Sequence, residues 1–116
     1  MRILVVDDEP PIMQLCLKVL ARQGHEVEGV TSGDEALARL RSASVDLLVV
    51  DYKMPGLNGL EVIRRARDLR PGLKTVLITG HGTREVVDTA TDDGVDGIIV
   101  KPFTPDELAQ TVAAFS

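Results

Sequence analysis

Residues 47–50 read Leu-Leu-Val-Val, and the run ends directly at the acidic residue Asp51. Four consecutive apolar residues without alternation are typical of a strand that is buried on both faces, as in a parallel sheet. Similar short runs of Val, Ile and Leu occur at three other places, residues 3–6, 76–78 and 98–100. The sequence therefore predicts a sheet with at least four buried strands.

Amphipathic segments and one alternating segment fill the intervals. Residues 25–30 alternate and carry two glutamates, which favours an edge strand. Apolar residues from Ile12 to Leu20 recur at helical spacing, and Gly24 is placed to end that helix. Further helices are predicted to begin near Ser32, Asn58, Thr83 and Thr104, where capping residues stand.

The last of these helices has the clearest signal at its start. Thr104 is the predicted N-cap, Pro105 occupies the first helical position, and Glu107 completes a capping box. Its buried stripe is predicted at Leu108, Val112 and Phe115. Strand and helix thus alternate five times, which predicts a single α/β domain over residues 1–116, with a doubly wound parallel sheet and helices on both faces.

Composition excludes several function classes. The 116 residues carry a net charge of −5, and aromatic residues make up 3% of the chain. This argues against direct nucleic-acid binding, which needs basic patches or stacking platforms. The single cysteine excludes an internal disulfide and a cysteine-rich zinc site. No apolar run approaches the roughly 18 residues of a membrane span, and acids stand where a signal peptide would be apolar, so we expect a cytoplasmic protein without membrane contact.

Polar side chains follow the apolar runs. Asp7 and Asp8 follow the first run, Asp51 the run at 47–50, Thr79 the next and Lys101 the last. Because ligands of open parallel sheets bind beyond the carboxyl ends of the strands, these groups should meet at one edge. Carboxylate oxygens suit a hard ion such as Mg²⁺, and an ammonium with a hydroxyl suits a phosphoryl group. Asp51, alone at the end of a middle strand, is the natural nucleophile for forming an acyl phosphate.

These residues lie in motifs that resemble the receiver domain of two-component response regulators. The resemblance spans the whole chain and is chemotaxis-receiver-like. It implies a flavodoxin-like fold with strand order 2-1-3-4-5 and five helices. The motifs are Asp7-Asp8-Glu9-Pro10, Asp51-x-x-Met54-Pro55-Gly56-x-Asn58-Gly59, Ile78-Thr79-Gly80 and Lys101-Pro102-Phe103.

The resemblance implies a role for each acid of the site. Asp51 would be the phosphoacceptor and would also contact the Mg²⁺ ion. Asp8 would ligate Mg²⁺ directly, with Asp7 beside it and partly acting through water. The main-chain carbonyl of Lys53 would complete the protein ligands.

The resemblance also implies how the signal is formed. Thr79 would be the switch hydroxyl that moves to the phosphoryl group, and Lys101 would pair with that group or with Asp51. The peptide bond between Lys101 and Pro102 is expected to be cis. Ile98 stands where many family members carry a tyrosine or phenylalanine that turns inward with the threonine, and an isoleucine cannot act in the same way.

Two further positions flank the phosphorylation site. Lys53 and His81 occupy variable positions that tune the lifetime of the phosphoryl bond in the family. Both side chains are equally compatible with an exposed position that has no effect.

The function implied is a phosphorylation-activated switch. A histidine kinase or phosphotransfer protein would supply the phosphoryl group, and a changed face around the fourth helix, fifth strand and fifth helix would control an output domain or protein. Such a domain catalyses only its own phosphorylation and dephosphorylation. One alternative is a phosphorylation-independent interaction module. Another is an aspartyl-phosphate phosphohydrolase, which usually needs a second acid where Lys53 stands.

Overall fold

The computed structural model describes residues 1–80 and 84–115, in which five strands alternate with five helices. The strands are β1 (Arg2–Val6), β2 (Glu26–Val30), β3 (Leu47–Asp51), β4 (Lys74–Thr79) and β5 (Gly97–Val100). The helices are α1 (Pro10–Arg22), α2 (Gly33–Ser42), α3 (Gly59–Leu69), α4 (Arg84–Asp92) and α5 (Pro105–Ala113). Within these residues no helix has the length and apolar character needed to cross a membrane.

The strands form one parallel sheet in the order β2-β1-β3-β4-β5. Val50 of β3 pairs with Val6 of β1 on one side and with Leu77 of β4 on the other. Thr79 at the end of β4 pairs with Val100 of β5. This confirms the predicted fold class and strand order, and it brings the carboxyl ends of the strands to one edge.

Two cores lie on opposite faces of the sheet, because successive strand residues point to opposite sides. On one face α2, α3 and α4 cover the sheet, and strand residues of that core include Leu4, Val6, Leu48, Val50 and Leu77. On the other face α1 and α5 cover it, and the strand residues include Ile3, Val5, Leu47, Val49 and Val76. The doubly wound arrangement is thereby confirmed.

The helix starts follow the capping signals in the sequence. The Thr104 hydroxyl accepts from the backbone N–H of Glu107 at 3.1 Å, and the Glu107 carboxylate accepts from the N–H of Thr104 at 3.3 Å. This confirms the predicted capping box of α5. At α2 only half of a box forms: Ser32 caps the backbone of Glu35, but the Glu35 carboxylate accepts from the hydroxyls of Ser32 and Thr31 instead.

Two details differ from the sequence prediction, and a third prediction falls on residues that the structure does not describe. The prediction that β5 is buried on both faces is wrong, since Val100 is 44% exposed, because β5 is an edge strand like β2. Phe115 packs against the core of α1 and α5 from beyond the end of α5 rather than from within it. The predicted helix start near Thr83 lies outside the described residues, and α4 is described from Arg84.

Candidate functional site

Four strands deliver the predicted site residues to one edge of the sheet. Asp51 is the last residue of β3 and Thr79 the last of β4, while Asp7 follows β1 directly and Lys101 follows β5 directly. Asp7, Asp51 and Thr79 are almost fully buried, at 1%, 2% and 2% exposure. Polar groups at the carboxyl ends of parallel strands are thus enclosed by the fold rather than left to solvent.

Lys101 forms a short ion pair with Asp51. Its ammonium nitrogen lies 2.9 Å from Oδ1 of Asp51, and only 17% of the lysine side chain is exposed. Burial raises the pKa of Asp51, and the hydrogen bond and charge of Lys101 partly counter that rise. Burial alone would lower the pKa of Lys101, but its contacts with Asp51, together with the charges of Asp7 and Glu9, outweigh burial and raise it. Asp51 and Lys101 therefore each favour the charged form of the other.

Asp7 lies beside this pair with one oxygen unpartnered. The backbone N–H of Glu9 donates to its Oδ1 at 2.8 Å. Its Oδ2 is the one buried side-chain oxygen or nitrogen without a hydrogen-bond partner among the described residues. Burial, opposed by the bond from Glu9 and reinforced by the nearby charge of Asp51, raises the pKa of Asp7 to about 6. The carboxylate is therefore held at a cost unless a cation or proton offsets its charge.

The acids of this edge fit a hard divalent cation. Asp7, Asp8, Glu9 and Asp51 each offer a carboxylate oxygen, and these oxygens all lie within 4.8 Å of one another. Mg²⁺ prefers such oxygen ligands and usually keeps several bound waters. Asp8 and Glu9 are exposed, so there is room for these waters on the solvent side. The unpartnered Oδ2 of Asp7 and the chemistry of the donor set are both compatible with Mg²⁺.

A cleft of about 360 Å³ opens over the ion pair. Its lining includes Asp51, Lys53, Thr79, Lys101 and, from α4, Val86. The backbone also ties the strand ends together, since the N–H of Lys101 donates to the carbonyl of Thr79 at 2.8 Å. The side chain of Lys53 is exposed. A group attached to Asp51 would stand between Lys101, Thr79 and α4.

Gly59 has a role at this site that its place in the sequence did not reveal. A Cβ at this position would lie 2.5 Å from the carbonyl oxygen of Asp51 and 2.9 Å from the Cα of Tyr52. Its N–H donates to the carbonyl of Tyr52 at 2.8 Å. The structure therefore shows a close approach of two backbones at Gly59, the first residue of α3, beside Asp51.

The remaining predicted positions are Pro102, Ile98 and His81. The peptide bond between Lys101 and Pro102 is cis. Ile98 is half-buried and packs against the core under α2, α3 and α4. His81, whose side chain was considered for the phosphoryl lifetime, lies outside the described residues. Sequence reasoning did not select Glu9, whose carboxylate lies 3.3 Å from the Lys101 ammonium, although it follows two selected acids.

Comparisons with known proteins agree with this fold. The "Transcriptional regulatory protein TcrA" of Mycobacterium tuberculosis is 36% identical over 115 residues, which are 99% of this chain and 46% of that protein. A CheY-like receiver domain structure from Methanospirillum hungatei superposes with a TM-score of 0.91 at 33% identity, covering 97% of this chain and 90% of the other. Thermotoga maritima response regulator TrrA, solved with Mg²⁺ and a beryllium fluoride, has a TM-score of 0.88 at 36% identity, covering 99% and 98%.

These matches cover nearly all of this chain but only part of its longer relatives. The chain spans about half the length of the first curated relatives it matches, 46% for TcrA and 47% for ResD of Bacillus subtilis. The response regulator receiver domain family matches residues 3–113. The chain therefore belongs to the response regulator receiver domains of two-component systems.

Proposed function

We propose that this chain is a phosphorylation-activated switch in which Asp51 accepts a phosphoryl group from a histidine kinase or phosphotransfer protein. The observation that carries the proposal is the buried Asp51 carboxylate, 2.9 Å from the Lys101 ammonium and within 4.8 Å of three other acids. An isolated carboxylate would not be retained in such a place. The ammonium of Lys101 and the neighbouring carboxylates surround Asp51 with charges of both signs, which suits a carboxylate whose charge changes when it accepts a phosphoryl group.

The transfer is a single displacement at phosphorus. A carboxylate oxygen of Asp51 attacks the phosphorus of a phosphohistidine, the bond between phosphorus and the imidazole nitrogen breaks, and that nitrogen leaves with the electron pair. Asp51 then carries a mixed carboxylic–phosphoric anhydride. Lys101 would contact the phosphoryl oxygens, and the Thr79 hydroxyl would bond them from the end of β4. Such a domain modifies itself and does not turn over an outside substrate.

The acids beside Asp51 are proposed as the Mg²⁺ site. Asp7, Asp8 and Asp51, with the main-chain carbonyl of Lys53, would hold the ion. When bound, Mg²⁺ offsets the mutual repulsion of the carboxylates and the charge of the phosphoryl oxygens. The structure of TrrA with Mg²⁺ and a beryllium fluoride supports this for a relative.

The signal would leave the site through α4 and β5. Val86 of α4 lines the cleft over Asp51 together with Thr79. Thr79 also pairs with Val100 of β5, which is 44% exposed. A phosphoryl group on Asp51 therefore has contacts that can favour one arrangement of the α4–β5–α5 face over another. That face would control a downstream protein or an output domain.

The context of the switch is proposed from the relatives. TcrA is named a transcriptional regulatory protein and is about twice the length of this chain, which supports an attached or separate output that acts on transcription. With a net charge of −5, this domain is not expected to touch DNA itself. We place the switch in the cytoplasm with its kinase partner.

Phosphorylation by acetyl phosphate tests the proposal. Intact-mass measurement should show one added phosphoryl group that is alkali-labile and depends on Mg²⁺. Asp51→Asn should abolish it, and the exposed control Asp68→Asn should leave it unchanged. Equal labelling of Asp51→Asn, or labelling indifferent to chelator, would contradict the assignment. No labelling of the wild type would favour a phosphorylation-independent interaction module.

A further inference from the structure

Glu9 occupies the position before α1 but does not cap that helix. No cap hydrogen bond forms from its side chain. Instead its carboxylate reaches the Lys101 ammonium, with Oε1 at 3.3 Å. Lys101 thereby lies between two carboxylates, since Asp51 is 2.9 Å away. The backbone of Glu9 meanwhile holds Asp7 through the N–H bond to its Oδ1.

The two carboxylates that share Lys101 differ in burial. The Asp51 side chain is 3% exposed, whereas that of Glu9 is 59% exposed. Glu9 also lines the cleft above Asp51. It therefore holds the ammonium from the solvent side, where a phosphodonor has to enter.

We propose that Glu9 is a positioning residue that holds Lys101 in the unmodified site and thereby slows phosphoryl acceptance by Asp51. The inference rests on the proposed function. With acetyl phosphate as donor, an oxygen of Asp51 attacks phosphorus, the bond from phosphorus to the acetate oxygen breaks, and acetate leaves with the electron pair. The ammonium has to turn to the phosphoryl oxygens in this step. A contact present before the step and weakened during it raises the barrier.

Two substitutions of Glu9 distinguish the effect of its contact with Lys101 from the effect of its negative charge. Glu9→Gln keeps the length of the side chain and removes its charge, while Glu9→Asp keeps a charge at the entrance but shortens the reach. We expect initial rates of Mg²⁺-dependent phosphorylation by acetyl phosphate to rise several-fold in Glu9→Gln and to rise also in Glu9→Asp. The matched control is Glu26→Gln. Glu26 is exposed and lies at the start of β2, at the end of the strand away from the site, so this substitution should leave the rate unchanged.

The effect must also depend on Lys101. In a Lys101→Met background we expect Glu9→Gln to change the rate by a factor of about one, because no ammonium remains to be held. A fold-change as large as in the wild-type background would overturn the inference, and so would Glu9→Asp behaving as wild type. If the wild type is phosphorylated on Asp51 and neither Glu9 variant is faster, this inference fails while the proposed function stands. If the wild type takes no phosphoryl group, both fail.

Discussion

Asp7 makes the stability of the metal-free domain depend on pH. Its pKa is raised to about 6 in the folded state, against about 3.9 for an unperturbed aspartate. The folded state therefore binds this proton more tightly than the unfolded state. The resulting stabilisation is complete below about pH 4 and is lost as pH rises through about 6.

Unfolding in denaturant with chelator present should detect this contribution. We expect the free energy of unfolding to fall by up to about 3 kcal/mol from pH 4 to pH 7 through Asp7. Asp7→Asn should remove that part of the slope, whereas the exposed Asp68→Asn should retain it. Added Mg²⁺ should stabilise more at pH 7 than at pH 5, since it binds the deprotonated acids. A slope unchanged by Asp7→Asn would contradict this account.

Gly59 should tolerate no side chain. An alanine Cβ there would meet the Asp51 carbonyl oxygen at 2.5 Å and Cδ1 of Leu77 at 2.8 Å. We expect Gly59→Ala to lower the free energy of unfolding by about 1–3 kcal/mol, the usual cost of overpacking. It should also slow phosphorylation, because Asp51 is displaced.

Gly72→Ala is the control for Gly59→Ala, since a Cβ there meets nothing within 4 Å. Chemical denaturation of the two variants measures the difference. Equal stability would mean that the backbone behind Asp51 moves aside without cost.

At the scale of elements, two arginines of α3 fix the far end of α4. The Arg67 guanidinium donates to the carbonyl oxygens of Asp93 and Gly94 and, at 3.3 Å, to the Thr75 hydroxyl. Arg64 adds an ion pair with Asp93 at 2.7 Å. The end of α4 that lies away from Asp51 is thereby attached to α3 and β4.

We expect Arg67→Ala to loosen α4 selectively. Loss of these charge-assisted bonds should cost about 1–3 kcal/mol and lower amide-exchange protection in α4 more than in α5. The control is Arg65→Ala, an exposed neighbour on the same helix. Uniform loss of protection in both helices would mean that Arg67 supports the whole fold rather than one element.

The elements that sequence alone predicted are those whose signals are local. Apolar runs marked β1, β3 and β4, and Thr104 with Glu107 marked the start of α5 with its capping box. The exposure of Val100 was missed because an apolar run does not tell whether a strand ends up at the edge of the sheet. The bonds of Arg67 to the α4–β5 turn join residues 26 or more positions apart and leave no local pattern.

The same distinction holds for the site. One rule predicted that the site residues meet: the carboxyl ends of parallel strands lie at one edge of the sheet. The structure confirms that this edge carries Asp7, Asp51, Thr79 and Lys101. The rule says nothing about side-chain direction. It therefore could not tell that Glu9 turns away from its helix toward Lys101, 92 residues later in the chain.

At the scale of the whole molecule, the coupling between Asp51 and the α4–β5–α5 face should pass through packing at Ile98. This side chain is half-buried against the core on the α4 side and has no polar tip that could choose between partners. We expect Ile98→Ala to keep phosphorylation at Asp51 and to reduce the change that phosphorylation produces in α4 and β5. Amide exchange with and without a beryllium fluoride and Mg²⁺ measures that change.

The control for Ile98→Ala is Val19→Ala, which shortens a partly buried side chain in the core on the α1 and α5 side. It should lower stability without altering the exchange difference. If Ile98→Ala leaves the difference at its wild-type size, Ile98 is ordinary core and coupling runs elsewhere.

Cys16 gives the domain a built-in chemical reporter. This residue of α1 is fully buried, and burial raises the pKa of its thiol to about 12. The sequence has no second cysteine. Alkylating reagents attack the thiolate, so modification requires the molecule to open first. The alkylation rate of the unmodified protein therefore reports the fraction of molecules that are open under native conditions. Where opening and closing are fast relative to alkylation, Mg²⁺ should slow it by the factor 1 + [Mg²⁺]/Kd, which would yield the ion's dissociation constant without any label or activity measurement.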